Sequence, residues 1–324
     1  TTLRDRADHS AFRGRSVASW VTSRTLHPDM TVENHGFFHP ELLCYGMWIV
    51  LARAAFALHG REEPDCLRRG NHEEAFDVLL RFCLPNGTIL TPAGQDLPMF
   101  MPRPFALAWG LWNSDPRALR LTERHLSWME GMVGSGTGER TPWVQGLLPV
   151  AEGWGLLFQS QVGFELAALA ALPFPDQPRF VSPGQIESAV ETKQIYPYVE
   201  LCFRRNVRTS RSVAWKALGK HPMVGLALHD CPELACCARA SLLGVPVTLP
   251  ETKQWSVDFH NDRLQRDGFD TYGRIRYFGQ DGAALLARDV RVVTWGDDGL
   301  LILDEIRALR DVALPEQFLS PLYD

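Results

Sequence analysis

Long hydrophobic runs are missing from this chain of 324 residues. A membrane-crossing helix needs about 18 or more consecutive apolar residues. The nearest approach, Leu42 to Leu58, is interrupted by Arg53, so no membrane span is expected. An excess of basic charge is missing too. Lys and Arg number 33 against 38 Asp and Glu, a net charge of −5, whereas a dedicated nucleic-acid binder presents a basic face. Neither a membrane nor a nucleic acid is an expected partner. The seven cysteines, at 44, 66, 83, 202, 231, 236 and 237, contain no CxxC pair. That excludes a zinc ribbon or a dense disulfide framework and leaves small buried apolar residues. There is no GxSxG elbow, HExxH, P-loop or GxGxxG at a strand–helix junction. His35 and His39 are spaced i,i+4 but lack the zincin glutamate, so no catalytic metal is expected. The opening Thr1-Thr2-Leu3-Arg4 is no signal peptide and has no initiator Met. It reads as a processed or truncated chain, as an exported protein is after cleavage.

What is present is ordinary globular composition, 45% hydrophobic and 22% charged, in a length suited to one large or two ordinary domains. The first part reads as helices. Glu41 to His59 is apolar nearly all round, the pattern of a buried helix. Asn71 is an N-cap candidate, followed by Glu73 and Glu74, then by Phe76, Leu79, Leu80 and Cys83, with a stop at Pro85-Asn86-Gly87. Further helices are expected over Phe105–Trp112, after Ser114-Asp115-Pro116, and over Gly153–Leu172. From about Ile195 the period becomes two, with Val199, Leu201 and Phe203 alternating with Glu200, Cys202 and Arg204. Arg211–Leu218 and Ile275–Phe278 read as strands. Val290–Trp295 and Leu300–Asp304 flank a Gly/Asp turn, a hairpin pattern. The expected architecture is α+β and multidomain: a helical domain over residues 1–180 and an antiparallel β-sandwich over 181–324. The proline-rich stretch from Pro173 to Pro183 is the expected linker.

Several clusters could carry chemistry. Glu33-Asn34-His35-Gly36-Phe37-Phe38-His39-Pro40 gathers an amide, two imidazoles and aromatics in one loop. The plainer reading is that Asn34 or His35 caps the next helix while Phe37 and Phe38 staple it. A second loop, Thr91 to Asp96, offers one carboxylate, with ordinary turn chemistry as its alternative. Among ten tryptophans, Trp109 and Trp112 share a helix face. They suit either sugar stacking or core packing. Arg204, Arg205, Arg208 and Arg211 could hold anionic groups or form a solvated face. His221, His229-Asp230 and His260-Asn261-Asp262 read as loop histidines.

Three segments together resemble the heparinase II/III-like polysaccharide lyases. Thr31-Val32-Glu33-Asn34-His35-Gly36-Phe37-Phe38-His39-Pro40 is similar to the Asn-His segment of their helical toroid. Phe269 to Tyr277 and Arg208-Thr209 with Ser212 to Lys216 resemble strands of their sandwich. The resemblance spans about residues 30–310. It implies an (α/α) toroid packed on an antiparallel β-sandwich, and β-elimination at a uronic acid of an anionic polysaccharide or oligosaccharide. Asn34 and His35 would then act at the uronate carboxylate, with His35 also a candidate base and His221 a further catalytic histidine. His39, Asp96, Trp109, Trp112 and Arg208 would line the substrate site. No cofactor is required, and a structural divalent metal in the sandwich is compatible. Relatives carry a Tyr acid downstream of the Asn-His pair, but residues 86–100 contain no Tyr, leaving Tyr45 or Tyr272 to substitute. The helices counted are fewer than such a toroid uses. The toroid is therefore expected to be incomplete, with a partner chain (a homo-oligomer included) or a compact family branch as the explanation. The implied location is secreted or periplasmic. Two other readings stand beside elimination. One is a non-catalytic glycan-binding protein. The other is a glycoside hydrolase using Glu33 and Asp96, since hydrolysis needs paired carboxylates.

Overall fold

The chain alternates local signals for helix and strand, and the computed structural model resolves them into an α+β protein with mostly antiparallel sheets. It describes residues 7–21, 26–63, 71–87, 89–94, 109–110, 113–134, 179–217, 222–230 and 241–318. Two compact units emerge. One gathers Thr1–His39, Thr91–Asp96 and Glu191–Asp324; the other gathers Pro40–Leu90 and Leu97–Val190.

The described helices of the second unit begin with a 3₁₀ turn over Pro40–Gly46, followed by α1 over Met47–Leu58. The uniformly apolar sequence leads to an expectation of burial, but Leu58 is 65% exposed and Ala55 and Ala57 are exposed as well. Arg53, on the same helix, forms an ion pair with Glu63. Helix α2, His72–Phe82, buries Phe76, Val78, Leu79, Leu80 and Phe82. That spacing is a 3.6-residue stripe, and Glu73 and Glu74 complement the helix dipole at its start. Asn71 stands at the N-cap without a side-chain cap bond. The turn after α2 needs a glycine. Gly87 has φ of +90°, and a Cβ there would lie 2.7 Å from the carbonyl oxygen of Arg124.

Helix α3, Pro116–Gly134, starts where Asp115 accepts the backbone N–H of Arg117 at 2.9 Å, with proline in the first helical position. The stretch read from sequence as linker, Pro173–Pro183, ends on the first residue of α4, Pro183–Ala189. Its start is a complete capping box between Ser182 and Gln185. The expected helix over Gly153–Leu172 lies outside the described residues, as does most of Phe105–Trp112.

The first unit contains three two-stranded antiparallel pairs, β1 (Ala11–Phe12) with β2 (Arg15–Ser16), β3 (Glu33–Asn34) with β4 (Phe37–Phe38), and β9 (Val245–Leu249) with β14 (Ala313–Phe318), and is built on two four-stranded antiparallel sheets. One has the order β5 (Thr192–Tyr196), β6 (Leu201–Arg205), β7 (Thr209–Ala214), β8 (Met223–Leu228). The other has the order β10 (Gln254–Gln265), β11 (Gly268–Phe278), β12 (Ala284–Trp295), β13 (Gly299–Ala308). Cys202, Val213, Trp215 and Val224 from the first meet Phe269, Ile275, Tyr277, Leu286, Val290 and Val292 from the second in one buried core. This is sandwich packing, with the inward-facing side chains of each sheet filling the layer between them. The expected alternation along β6 is blurred because Leu201, Cys202 and Phe203 are all fully buried. The sheet is covered on both faces, and on its far side Phe38 stacks on Tyr196 at 6.4 Å.

The hairpin read from sequence is the β12–β13 connection, closing with Trp295 opposite Gly299. Its clamp is Arg211. The fully buried guanidinium donates to the carbonyls of Trp295 (3.2 Å), Gly296 (3.0 Å) and Gly299 (2.7 Å). Burial, then the nearby Arg204, lowers its pKa.

Candidate functional site

Turn chemistry places the first functional side chains. Asp29 Oδ1 accepts from the backbone and hydroxyl of Thr31 at 3.1 and 2.6 Å, a local turn that fixes His27. Strands β3 (Glu33–Asn34) and β4 (Phe37–Phe38) then form a two-residue hairpin. His35 (φ +51°) and Gly36 (φ +90°) are its loop, the paired positive φ of a type I′ turn. The helix-capping alternative for Asn34 and His35 therefore gives way to a hairpin. Phe37 and Phe38 do anchor it, at 3% and 0% exposure, while His35 is exposed at the tip. His39 is buried, its ring 4.2 Å from Phe37 and edge-on to His35 at 6.4 Å.

Glu33 connects this hairpin to the sheet. One carboxylate oxygen is 3.2 Å from His27 Nε2, and the other is paired with Lys216, just beyond β7. His27 in turn stacks flat on Tyr198 at 5.2 Å. Tyr198 lies in the β5–β6 turn, and Leu201 pairs with Ala214 across β6 and β7, so Tyr198, Glu200 and Lys216 share one end of the sheet. Tyr198 and Lys216 are 41% exposed and 37% exposed at the side chain, respectively. The result is a chain of polar groups, Tyr198–His27–Glu33–Lys216, running beside Asn34.

A second network adjoins it through Glu200. The backbone carbonyl of Glu200 accepts from Trp215 N–H at 2.9 Å, and its carboxylate lies 3.6 Å from His260 Nε2. Glu200 adopts φ of +51°, a conformation that β-region residues avoid. His260 Nδ1 is 2.9 Å from Asp262, whose other oxygen accepts from Thr271 at 2.5 Å. Thr271 also accepts from Trp215 Nε1 at 2.7 Å, and the indole stacks on His260 at 5.5 Å. The hydrogen bond to Asp262 raises the pKa of His260 against the opposing effect of burial. Burial pushes Asp262 upward, but hydrogen bonds from His260 and Thr271 leave it below the ordinary carboxylate value. Burial drives the Cys202 thiol far up, so it stays protonated. The sequence reading of His260 and Asp262 as loop residues is corrected: both lie inside β10. His229, also read as an exposed loop residue, is buried, with Nε2 3.0 Å from the Ser210 hydroxyl and Nδ1 3.1 Å from the Val207 carbonyl.

The structure brings Asn34, His35 and His39 together on one hairpin. It does not bring Tyr272 to them. Tyr272 faces outward on β11, in a hollow with Asn261, Arg263 and Arg291. Trp109 is packed in a core against Phe76 at 6.0 Å, only 7% exposed, so it offers no open stacking face. Arg208 is exposed in the β6–β7 turn and pairs with Asp298 at 3.1 Å. Arg205 and Arg211 are buried, so the arginine cluster is not one solvated or anion-facing surface. His221, Asp96 and Trp112, with the side chain of Tyr45, lie outside the described residues.

Sequence reasoning did not find Tyr198, His27 or Lys216. Nothing local marks them, because their association is tertiary. Among the described residues, no group of three or more His, Cys, Asp or Glu could hold a metal ion. No helix among them is long and apolar enough to cross a membrane. Comparison with family models, curated proteins and solved structures gives no match to this chain.

Proposed function

We propose that the Asn34–His35 hairpin and the adjoining end of the sheet carry out β-elimination on a uronate-containing polysaccharide. The observation that supports this is that Glu33, next to Asn34 and the exposed His35 in the chain, is paired with Lys216 and His27, and that His27 stacks on the exposed Tyr198. Elimination needs the uronate carboxylate neutralised, the C5 proton removed and the leaving O4 protonated. Asn34 donates a hydrogen bond to the uronate carboxylate, and Lys216 supplies positive charge by exchanging Glu33 for it. His35 takes the C5 proton, and that C–H electron pair becomes the C4–C5 double bond. The C4–O4 bond breaks, and Tyr198 delivers its proton to O4. In this reading Tyr198 replaces the tyrosine that residues 86–100 lack.

The same reading assigns the helical segments to part of an (α/α) toroid and places the protein where such polymers occur, outside the cell or in the periplasm. The reaction as written needs no metal or other cofactor. The test is absorbance near 235 nm during incubation with alginate, glucuronan, hyaluronan, chondroitin and heparan sulfate. A rise marks an unsaturated uronate. His35→Ala and Tyr198→Phe should each lower kcat by about 10²-fold or more while leaving the circular dichroism unchanged. New reducing ends without absorbance would replace elimination by hydrolysis, and neither signal would leave glycan binding without turnover.

A further inference from the structure

The outer face of the β10–β13 sheet carries an arrangement that the elimination site does not use. Strands β10 and β11 pair in register except at one β-bulge, between Val257 and Phe259. Val257 sits opposite Ile275, a core residue, whereas Phe259 sits opposite Arg274. Two residues apart on an unbroken strand would face the same way. The bulge at Asp258 reverses this and turns the Phe259 ring out to solvent. There it lies 5.6 Å from Tyr272, and the two rings are 43% and 37% exposed. The Phe259 ring packs there on outer-face side chains, Tyr272 and the Arg274 guanidinium 5.8 Å from its centroid, and stays open to solvent; bulges concentrate where side chains are re-aimed for a site.

Tyr272 lines a hollow of about 840 Å³ together with Asn261, Arg263, Asp270, Asp289 and Arg291. The charged side chains are held in planar pairs. Arg291 binds Asp270 through two bonds of 2.9 and 2.7 Å, and Arg274 binds Asp289 through bonds of 2.6 and 2.9 Å. A guanidinium held this way keeps further N–H donors, and the carboxylate keeps free lone pairs. Donors and acceptors thus alternate around exposed aromatic rings. Each carboxylate of the hollow is matched by arginine: Asp270 by Arg291, Asp289 by Arg274 and Arg307, Asp304 by the buried Arg288, and Glu305 by Arg307. A polyanion would have to break these pairs to find its counter-charge. A neutral saccharide meets none of these costs: its hydroxyls both donate and accept, and its apolar ring face stacks on an aromatic.

We propose that this outer face, centred on Tyr272 and Phe259, is a binding site for a neutral oligosaccharide, separate from the Asn34–His35 site and independent of the elimination reading. The experiment is calorimetric titration of the full chain with neutral hexasaccharides of β-linked glucose, xylose and mannose, with a uronate oligomer as comparator. Sedimentation velocity runs alongside. At least one neutral hexasaccharide should bind in preference to the uronate. Tyr272→Ala should weaken it about tenfold or more, and Tyr272→Phe should keep it. If Tyr272→Ala unfolds the sheet by circular dichroism, Phe259→Ala, at an exposed position, carries the same expectation. Three results overturn the proposal: no neutral saccharide binds, binding is indifferent to both rings, or the face proves to join two copies in a dimer that Tyr272→Ala dissolves.

Discussion

His125 shows how burial of one side chain becomes a property of the protein. It is 5% exposed, with its Nδ1 3.4 Å from the carbonyl of Gly87, and burial lowers its pKa from 6.5 to about 4. The imidazole is neutral when folded but takes a proton more readily when unfolded. Its contribution to stability is therefore complete above pH 6.5 and is lost as pH falls toward 4, by up to about 3 kcal/mol. Urea unfolding at pH 7 and pH 4.5 should show this loss, and His125→Asn, which cannot titrate, should show less of it. His260 works in the opposite direction. Its pKa is raised by Asp262, so its protonated form favours the folded state below pH 6.5, and that contribution fades as pH rises through the raised value. At this scale the sequence marked Glu33 to His39 as one polar and aromatic cluster, because its members are chain neighbours, but not the hairpin that His35 and Gly36 turn. Tyr198 and Lys216 were not readable, because what gives them a role is Glu33, far away along the chain.

At the level of elements, the hairpin of β12 and β13 depends on a residue from the opposite sheet. Arg211 supplies donors to three turn carbonyls. Arg211→Leu keeps bulk but removes every donor. It should cost about 3 kcal/mol or more, because three hydrogen bonds from a charged group are lost together. Faster amide exchange at residues 296–299, with slow exchange retained in β6, would confirm a local clamp. Uniform acceleration would mean a general core defect instead. The hairpin itself was legible, since Gly296-Asp297-Asp298-Gly299 between β-rich runs is turn chemistry. Its clamp was not, because Arg211 looks like any arginine in a basic run until the second sheet is placed over it. Helix α4 was missed for a different reason. Its capping box, Ser182 and Gln185, opens at the very end of the proline run 173–183, which by composition looks like linker.

For the molecule as a whole, Trp215 binds the two sheets to each other. It is 1% exposed, donates to Thr271 on β11 and fits against Gly273, where a Cβ would come within 2.6 Å of the indole. Trp215→Ala should lower unfolding free energy by about 3–5 kcal/mol, since it opens a cavity and leaves the Thr271–Asp262–His260 network short of a donor. Chemical denaturation of the full chain checks this, and a loss below about 1 kcal/mol would show that the sheets are held elsewhere. The run of strands from Thr192 onward was legible from the change of period near Ile195. The assignment of residues 1–39 to the unit of the sheets was not, because no composition shift marks it.

That assignment bears on how the protein is made. The segment carrying Asn34, His35 and Phe38 leaves the ribosome well before Tyr196, Tyr198 and Lys216, against which its neighbourhood packs and which come only after the whole stretch 40–190. Closing so long a loop is entropically demanding and slow compared with forming local helices. During synthesis the Asn-His hairpin must therefore wait, with Phe38 without its stacking partner, until the strand that carries Tyr196 arrives.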